Sequence, residues 1–387
     1  MSKKFSLLVT VISSCCFVAS CFLLIELQKV WYAAKFPLFD FHGQWALCAY
    51  TLRGVDPYAI TGVETPLIEE IGIIPLEWST TPWGLVLGNF FYPGFLGFSE
   101  AVYYFFLLNI LFLLWTALAV ARNVKIGLSK GTTFFVTLSA FFISFFISSY
   151  FGNAGAVICC LLILSCVLVD DLPILSGIFL AVAMLKPQIA LPICFALLLR
   201  KNFKVLTVAA VIDFASWGAA AFMTNQSPIT LLTEFLSINT GGHTVFSGLF
   251  TLAFPKDKLL AMTLSMFAGI LFIWLTRRLG FKDEKIFWMC PACLATTFFA
   301  YSFHNEFFIL LLPALACIHF ASREELHEKI FWLVAFVFLS IGVYVLFLPL
   351  RIFLAYLTTS FWIARTIFAA VLIVLGFFMA RAFKFSA

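Results

Sequence analysis

Apolar runs long enough to cross a lipid bilayer recur along this chain of 387 residues. One of them, VYYFFLLNILFLLWTALAVA at 102–121, contains no charged residue, and about 20 such residues in a helix span the hydrocarbon core. Only 11% of the residues are charged and 63% are apolar, whereas a soluble protein averages about 25% charged and about 45–50% apolar. A water-soluble globular protein is therefore excluded, and we predict an all-α, polytopic transmembrane helical bundle.

The apolar runs between charged residues predict twelve membrane spans. They lie near 5–28, 101–121, 132–149, 153–169, 173–186, 187–199, 204–222, 258–276, 285–301, 303–321, 329–349 and 358–381. The run 82–98 is broken by Gly88, Pro93, Gly94 and Gly97. Glycine and proline interrupt a helix, so we interpret this run as a hairpin or a re-entrant piece.

The distribution of lysine and arginine predicts the orientation. With the N-terminus in the cytoplasm, 16 of the 24 basic residues lie on the inner side, as expected for cytoplasmic loops. Two long polar segments, 29–82 and 223–257, are then on the outer face of one integral-membrane domain, 1–387. The stretch 41–54 has apolar residues at helical spacing, which predicts an interfacial helix. The net charge of +5 gives no indication of a nucleic-acid partner.

Asp40 follows the predicted first span, in the aromatic stretch FPLFDFHGQW. Ionisable groups at a membrane edge are costly, and they are therefore functional candidates. A partly desolvated carboxylate would suit a general base, while Asp is also a favoured helix N-cap. His42 and Gln44 follow on the same segment, either as partners of Asp40 or as ordinary interfacial polar residues.

Two short motifs interrupt the predicted helices. Asp56 and Tyr58 belong to the sequence GVDPY after Arg53, which is typical of a turn that ends a helix. Lys186 precedes Pro187 and Gln188 inside a long apolar run, so two short spans are predicted to meet there. A lysine at this break could neutralise a phosphate, or it could extend to the outer headgroups.

The remaining candidates lie in the C-terminal half. His304, beside Asn305 and Glu306, is predicted at the outer start of a span, and His243 is on a glycine-rich outer loop that could close over a site. Arg365 could hold a lipid phosphate or anchor the chain to headgroups. The sequence has no nucleotide-binding glycine loop and no clustered His and Cys for a metal.

Several short motifs, taken in order, resemble the GT-C superfamily of integral-membrane glycosyltransferases, specifically glycosyltransferase family 87. They are Asp40 with Trp45 and the GVDPY turn, Pro82-Trp83, Gly152-Asn153, LSGIFLAVAMLKPQ at 175–188, and Ser302-Phe-His304-Asn before FFILLLPAL. Asn153 stands where the family has glutamine, and the serine stands one place closer to His304 than in the family pattern.

The resemblance implies an inverting transferase that moves a hexose, foremost mannose, from a polyprenyl-phosphate carrier to a hydroxyl of a lipid or glycan acceptor. The reaction would take place on the outer face of a bacterial inner membrane. No cofactor is expected, and a metal is not evidently required because two cationic side chains can stabilise the charge, although GT-C relatives differ on this point. Asp40 would be the general base, and Lys186 and His304 would stabilise the departing lipid phosphate. The residues expected to contact donor or acceptor are His42, Gln44, Asp56, Tyr58, Asn153, Gln188, His243, Asn305 and Arg365.

Two alternatives stay open on the sequence. A secondary transporter or lipid flippase tends to show internal repeats and midplane charges, whereas this sequence has no evident repeat and Asp213 is the one acid near mid-membrane. A non-catalytic assembly factor would neither bind nor consume a polyprenyl-phosphate sugar.

Overall fold

The computed structural model describes residues 3–34, 38–58, 71, 80–140, 142–240, 254, 257–281, 287–299, 308–323, 326–342 and 370–382. Over these residues all regular secondary structure is helical. The α-helices are α1 (Lys3–Ala34), α2 (Phe39–Leu52), α3 (Gly84–Leu87), α4 (Phe98–Asn123), α5 (Lys130–Ala140), α6 (Phe142–Phe151), α7 (Gly155–Leu168), α8 (Pro173–Ala183), α9 (Pro187–Leu199), α10 (Phe203–Met223), α11 (Pro228–Thr240), α12 (Lys258–Thr276), α13 (Cys290–Phe299), α14 (Leu311–Ala321), α15 (Leu326–Val337) and α16 (Ala370–Ala382). The all-α prediction is confirmed for this part of the chain.

Three helices of the described chain are long and apolar enough to cross a membrane, namely α4, α10 and the part Lys4–Ile25 of α1. A fourth span is formed if α5 and α6 are taken together, although the two are bent by 47°. The other apolar helices, including α7, α8 and α9, have 10–17 residues. The chain is thus an integral membrane protein, while the number of twelve spans stays a prediction.

The segment 82–98 does not form a long helix. It contains the four-residue helix α3 and a 3-10 turn at Gly88–Phe90, followed by irregular backbone. The prediction that this run is too broken for a simple span is confirmed. Gly94 lies directly against α2, since a Cβ atom there would be 2.4 Å from the Ala49 backbone nitrogen. The segment therefore packs onto α2 by close backbone contact.

Helix α7 lies at the centre of the bundle. Its residues 155–166 are all buried, which is typical of a helix that is apolar on every side. Two hydroxyl groups join it to α8, because Ser165 Oγ donates to the Ser176 carbonyl at 2.9 Å and Ser176 Oγ donates to the Ser165 carbonyl at 2.8 Å. Small polar residues of this kind let membrane helices approach closely.

Helix α2 forms where the sequence predicted a helix, but protein surrounds it. The seven residues 45–51 are all buried, and α2 contacts α3, α4, α6 and α10. At its start, the Phe41 ring lies 5.3 Å from both the Tyr92 and Phe105 rings. An interfacial helix would bury one face and leave the other exposed. Protein therefore covers this helix on more sides than expected, while its position at the membrane interface stays a prediction.

Candidate functional site

Asp40 lies in the first turn of α2 and its side chain is half-buried. The helix is capped by the backbone of Leu38, which has φ 58° and no capping side chain. The Leu38 N–H donates to the Tyr150 carbonyl at 3.1 Å, which ties the start of α2 to α6. Asp40 is therefore not the N-cap residue, and its carboxylate is directed to another group.

That group is on the turn between α6 and α7. Gly152 in this turn has φ +68°, and a Cβ atom there would lie 2.3 Å from the Phe41 Cβ. Glycine is required because the left-handed backbone and the contact with α2 both exclude a side chain. The Tyr92 hydroxyl accepts from the Ala154 N–H at 2.8 Å and donates to the Gly152 carbonyl at 3.3 Å. These bonds fix the turn next to Asp40.

Asn153, the next residue of the turn, connects three parts of the molecule. Its Nδ2 donates to Asp40 Oδ2 at 2.6 Å. Its Oδ1 accepts from the Gly155 N–H at 2.8 Å and from Lys186 Nζ at 2.8 Å. The carboxamide therefore joins a carboxylate, the first turn of α7 and an ammonium group.

Lys186 lies at the break between α8 and α9, as the sequence predicted. Helix α8 ends at Ala183, α9 begins at Pro187, and Lys186 is the capping position of α9. The Trp83 indole N–H donates to the Met184 carbonyl at 2.9 Å, so the segment 82–98 supports the break. The broken backbone brings a cation to the side of the bundle that carries Asp40.

The hydrogen-bonded chain Asp40–Asn153–Lys186, called the Asp40 chain below, joins side chains that are far apart in sequence. All three side chains are half-buried, and hydrogen bonds to ionised partners are about twice as strong as neutral ones. A half-buried carboxylate can accept a proton from a hydroxyl. An ammonium group one amide away can stabilise an anion that forms nearby. The arrangement is thus suited to a reaction in which a proton is removed and negative charge develops on a leaving group.

Three further predicted residues lie close in sequence to Asp40 or Lys186. His42 is half-buried, and its Nε2 is 3.2 Å from the Ile71 carbonyl oxygen. Gln44 is half-buried and lies one helical turn after Asp40, on the same side of α2. Gln188 is half-buried in the first turn of α9.

Asp56 and Tyr58 lie beyond the other end of α2. Asp56 Oδ1 accepts from the Tyr58 N–H at 3.0 Å, and the Tyr58 hydroxyl donates to the Thr80 carbonyl. The turn predicted after α2 is confirmed. Fourteen helical residues, about 21 Å at 1.5 Å per residue, separate the start of α2 from this turn. The structure therefore does not bring Asp56 or Tyr58 into contact with the Asp40 chain.

Glu234 of α11 faces Asp56 and was not predicted. Burial, together with the charge and hydrogen bonding of the Asp56 carboxyl group, raises the pKa of Glu234 from 4.5 to about 7. Oδ2 of Asp56 and Oε2 of Glu234 are both buried without a hydrogen-bond partner among the described residues. Glu234 is the one charged residue of α11. The sequence therefore did contain a signal that could have marked Glu234 as a candidate.

Tyr92 was also missed, and no sequence signal distinguishes it, since the chain has 10 tyrosines and 50 phenylalanines. His243, His304, Asn305 and Arg365 lie outside the described residues. Within the described ranges, no three His, Cys, Asp or Glu side chains come together as a metal site.

Comparison with known families gives one match. The family described as glycosyltransferase family 87 matches residues 82–300, more than half of the chain. The matched segment includes Asn153 and Lys186, while Asp40 precedes it. No curated protein and no solved structure matches the chain significantly.

Proposed function

This chain belongs to glycosyltransferase family 87, a family of GT-C type membrane glycosyltransferases, and we propose that its donor is a polyprenyl-phosphate-linked hexose. The acceptor is a hydroxyl of a lipid or a glycan on the outer face of the membrane. Mannose is the first sugar to test, because the sequence motifs resemble the mannosyltransferases of this family.

The observation that carries this proposal is the link from Asp40 through Asn153 to Lys186, with hydrogen bonds of 2.6 and 2.8 Å. A lipid-linked donor leaves as a phosphate, so the enzyme needs a cation near the leaving group rather than a nucleotide-binding loop. The acceptor hydroxyl is a poor nucleophile until a base takes its proton. One base and one cation, held a single amide apart, meet both needs.

In the proposed step, the acceptor oxygen attacks the anomeric carbon from the face opposite the phosphate. The new C–O bond forms as the bond to the phosphate oxygen breaks, and the electron pair stays on the polyprenyl phosphate. Asp40 accepts the hydroxyl proton, and Lys186 stabilises the charge that grows on the phosphate. Because the attack is direct, the anomeric configuration is inverted.

The finer features follow the sequence predictions. We propose that His304 assists Lys186 at the phosphate, and that His42, Gln44 and Gln188 line the donor or acceptor path. His243, Asn305 and Arg365 are proposed to complete that path from the outer side. The proposal places the reaction at the outer face of a twelve-span bundle in a bacterial inner membrane.

The test uses the purified protein in lipid, given polyprenyl-phosphate mannose, glucose and arabinose in turn, each with a radiolabelled sugar. Wild-type protein is expected to consume one donor. Asp40→Asn and Asp40→Ala should lower turnover by about 100- to 10,000-fold, while donor binding survives. Asp171→Asn is the matched control, because Asp171 is an exposed acid outside the Asp40 chain.

Unchanged turnover in Asp40→Ala would reject the assigned base. Labelled donor that crosses the bilayer without losing its sugar would instead support a transporter or flippase. Donor that is neither bound nor consumed would support an assembly factor.

A further inference from the structure

Asn153 has protein contacts at both heteroatoms of its carboxamide. Its Oδ1 receives the Gly155 N–H and Lys186 Nζ, both at 2.8 Å, and its Nδ2 donates to Asp40 Oδ2 at 2.6 Å. The reversed orientation would set the NH2 group against two donors and the oxygen against a carboxylate. The contacts therefore fix the direction of the amide.

This direction matters because the amide lies between opposite charges. Asp40 and Lys186 come from different parts of the chain and both are half-buried, where the attraction between charges is stronger than in water. Without the carboxamide, the flexible lysine side chain could approach the carboxylate and form a direct ion pair. Such a pair would make Asp40 a weaker base, since an opposite charge nearby favours the ionised carboxylate. It would also reduce the charge that Lys186 offers to a phosphate.

We propose that Asn153 is a positioning residue that holds the Asp40 carboxylate and the Lys186 ammonium one carboxamide apart, so that each acts on its own part of the substrate. Asn153 thus acts through these two groups rather than on the sugar. The inference rests on the proposed function, in which Asp40 is the base and Lys186 faces the donor phosphate. It adds a requirement for the distance between Asp40 and Lys186, which the assignment of a base and a phosphate-binding cation does not include.

Asn153 has a second role that the test must separate. The bond from the Gly155 N–H to Oδ1 closes a turn between a side chain and the residue two places on, and this turn begins α7. Serine can close the same turn with its hydroxyl group, but it is too short to join Asp40 to Lys186. Glutamine keeps the carboxamide, but its extra methylene group weakens the turn.

The two roles of Asn153 therefore predict opposite orders of activity for these two variants. If Asn153 positions the charges, Asn153→Ser lowers kcat by about 100-fold, the usual cost of a 1 Å misplacement, while Asn153→Gln keeps a carboxamide between the two groups and loses less than Asn153→Ser. Donor KM rises in Asn153→Ser as well, because Lys186 is drawn to Asp40. If Asn153 only closes the turn, the serine variant is the more active one. Thermal unfolding in detergent is measured for both, so that turnover is compared per folded molecule.

Asp40→Asn is assayed beside them. An inactive Asp40→Asn variant with Asn153→Gln more active than Asn153→Ser supports the inference. An inactive Asp40→Asn variant with Asn153→Ser equal to or better than Asn153→Gln overturns the inference and leaves the proposed function standing. An active Asp40→Asn variant overturns both.

Discussion

Replacing Gly152 by alanine should disconnect α2 from the turn that carries Asn153. Gly152 has φ +68°, a conformation that costs other residues about 1–2 kcal/mol. The new Cβ would lie 2.3 Å from the Phe41 Cβ and 3.0 Å from the Phe41 backbone nitrogen. Overpacking of this kind costs about 1–3 kcal/mol. The free energy of unfolding should therefore fall by about 2–5 kcal/mol.

The clash also sets the expected loss of activity. An ordinary Cβ contact begins near 3.4 Å, so α2 and the turn must separate by about 1.1 Å at Phe41. The hydrogen bond from Asn153 to Asp40 is 2.6 Å long, and a shift of this size would stretch it beyond the usual range. Misplacing a catalytic group by about 1 Å commonly costs about 100-fold in rate.

The measurements are thermal unfolding in detergent and turnover of the donor found for wild-type protein. Gly152→Ala should unfold about 4–10 °C lower, at about 2 °C per kcal/mol for a large domain. Gly218→Ala in α10 is the control, because nothing lies within 4 Å of its Cβ position and no positive φ is involved. Alanine also favours helices, so the control should match wild-type protein or exceed its stability. If Gly152→Ala keeps both its unfolding midpoint and its turnover, the proposed contact between α2 and the turn is wrong.

Two further predictions concern the residues that the sequence did not single out. Tyr92→Phe removes the acceptor of the Ala154 N–H and the donor to the Gly152 carbonyl, so stability should fall by about 1–3 kcal/mol, and turnover should fall with it; an unchanged thermal midpoint would contradict this. The pKa of Glu234 is raised from 4.5 to about 7, so the folded state binds the proton of this carboxyl group more tightly than the unfolded state. The resulting contribution to the free energy of unfolding is complete below pH 4.5 and is lost as the pH rises through 7. Amide exchange in α11, corrected for intrinsic rates, should therefore show less protection at pH 8 than at pH 5, and Glu234→Gln should remove that difference; an equal pH effect in both proteins would refute the assignment.

Local signals were enough to predict the helix at α2 and the break at Lys186. Apolar residues at helical spacing and the GVDPY turn determine where α2 lies in the sequence, and the proline after Lys186 ends one helix and begins another. These features depend on neighbouring residues, so the sequence carries them directly. Which sides of α2 are covered by protein depends on what packs around it, and the sequence did not predict that residues 45–51 are all buried.

The contact between Asp40 and Asn153 joins residues 113 positions apart. No periodicity or spacing encodes such a pair, because it depends on the φ of Gly152 and on the bonds made by Tyr92. The same holds for Asp56 and Glu234, which come from two separate segments of the sequence. Resemblance to a family supplied candidates for the site, but only the fold shows that an asparagine lies between the carboxylate and the lysine.

The electrostatics of the site depend more on Lys186 than on the helix ends around it. Asp40, Asn153 and Lys186 lie at or just before the N-termini of α2, α7 and α9, and such termini favour anions. However, α6 ends directly before α7 and α8 ends directly before α9, so carbonyl groups of opposite partial charge lie beside two of these termini. The opposite partial charges offset one another in part, and the full charge of a lysine is larger than the half charge of a helix end. In the proposed reaction, a departing phosphate is stabilised chiefly by Lys186, and we therefore expect the spacing between Lys186 and Asp40 to control the rate.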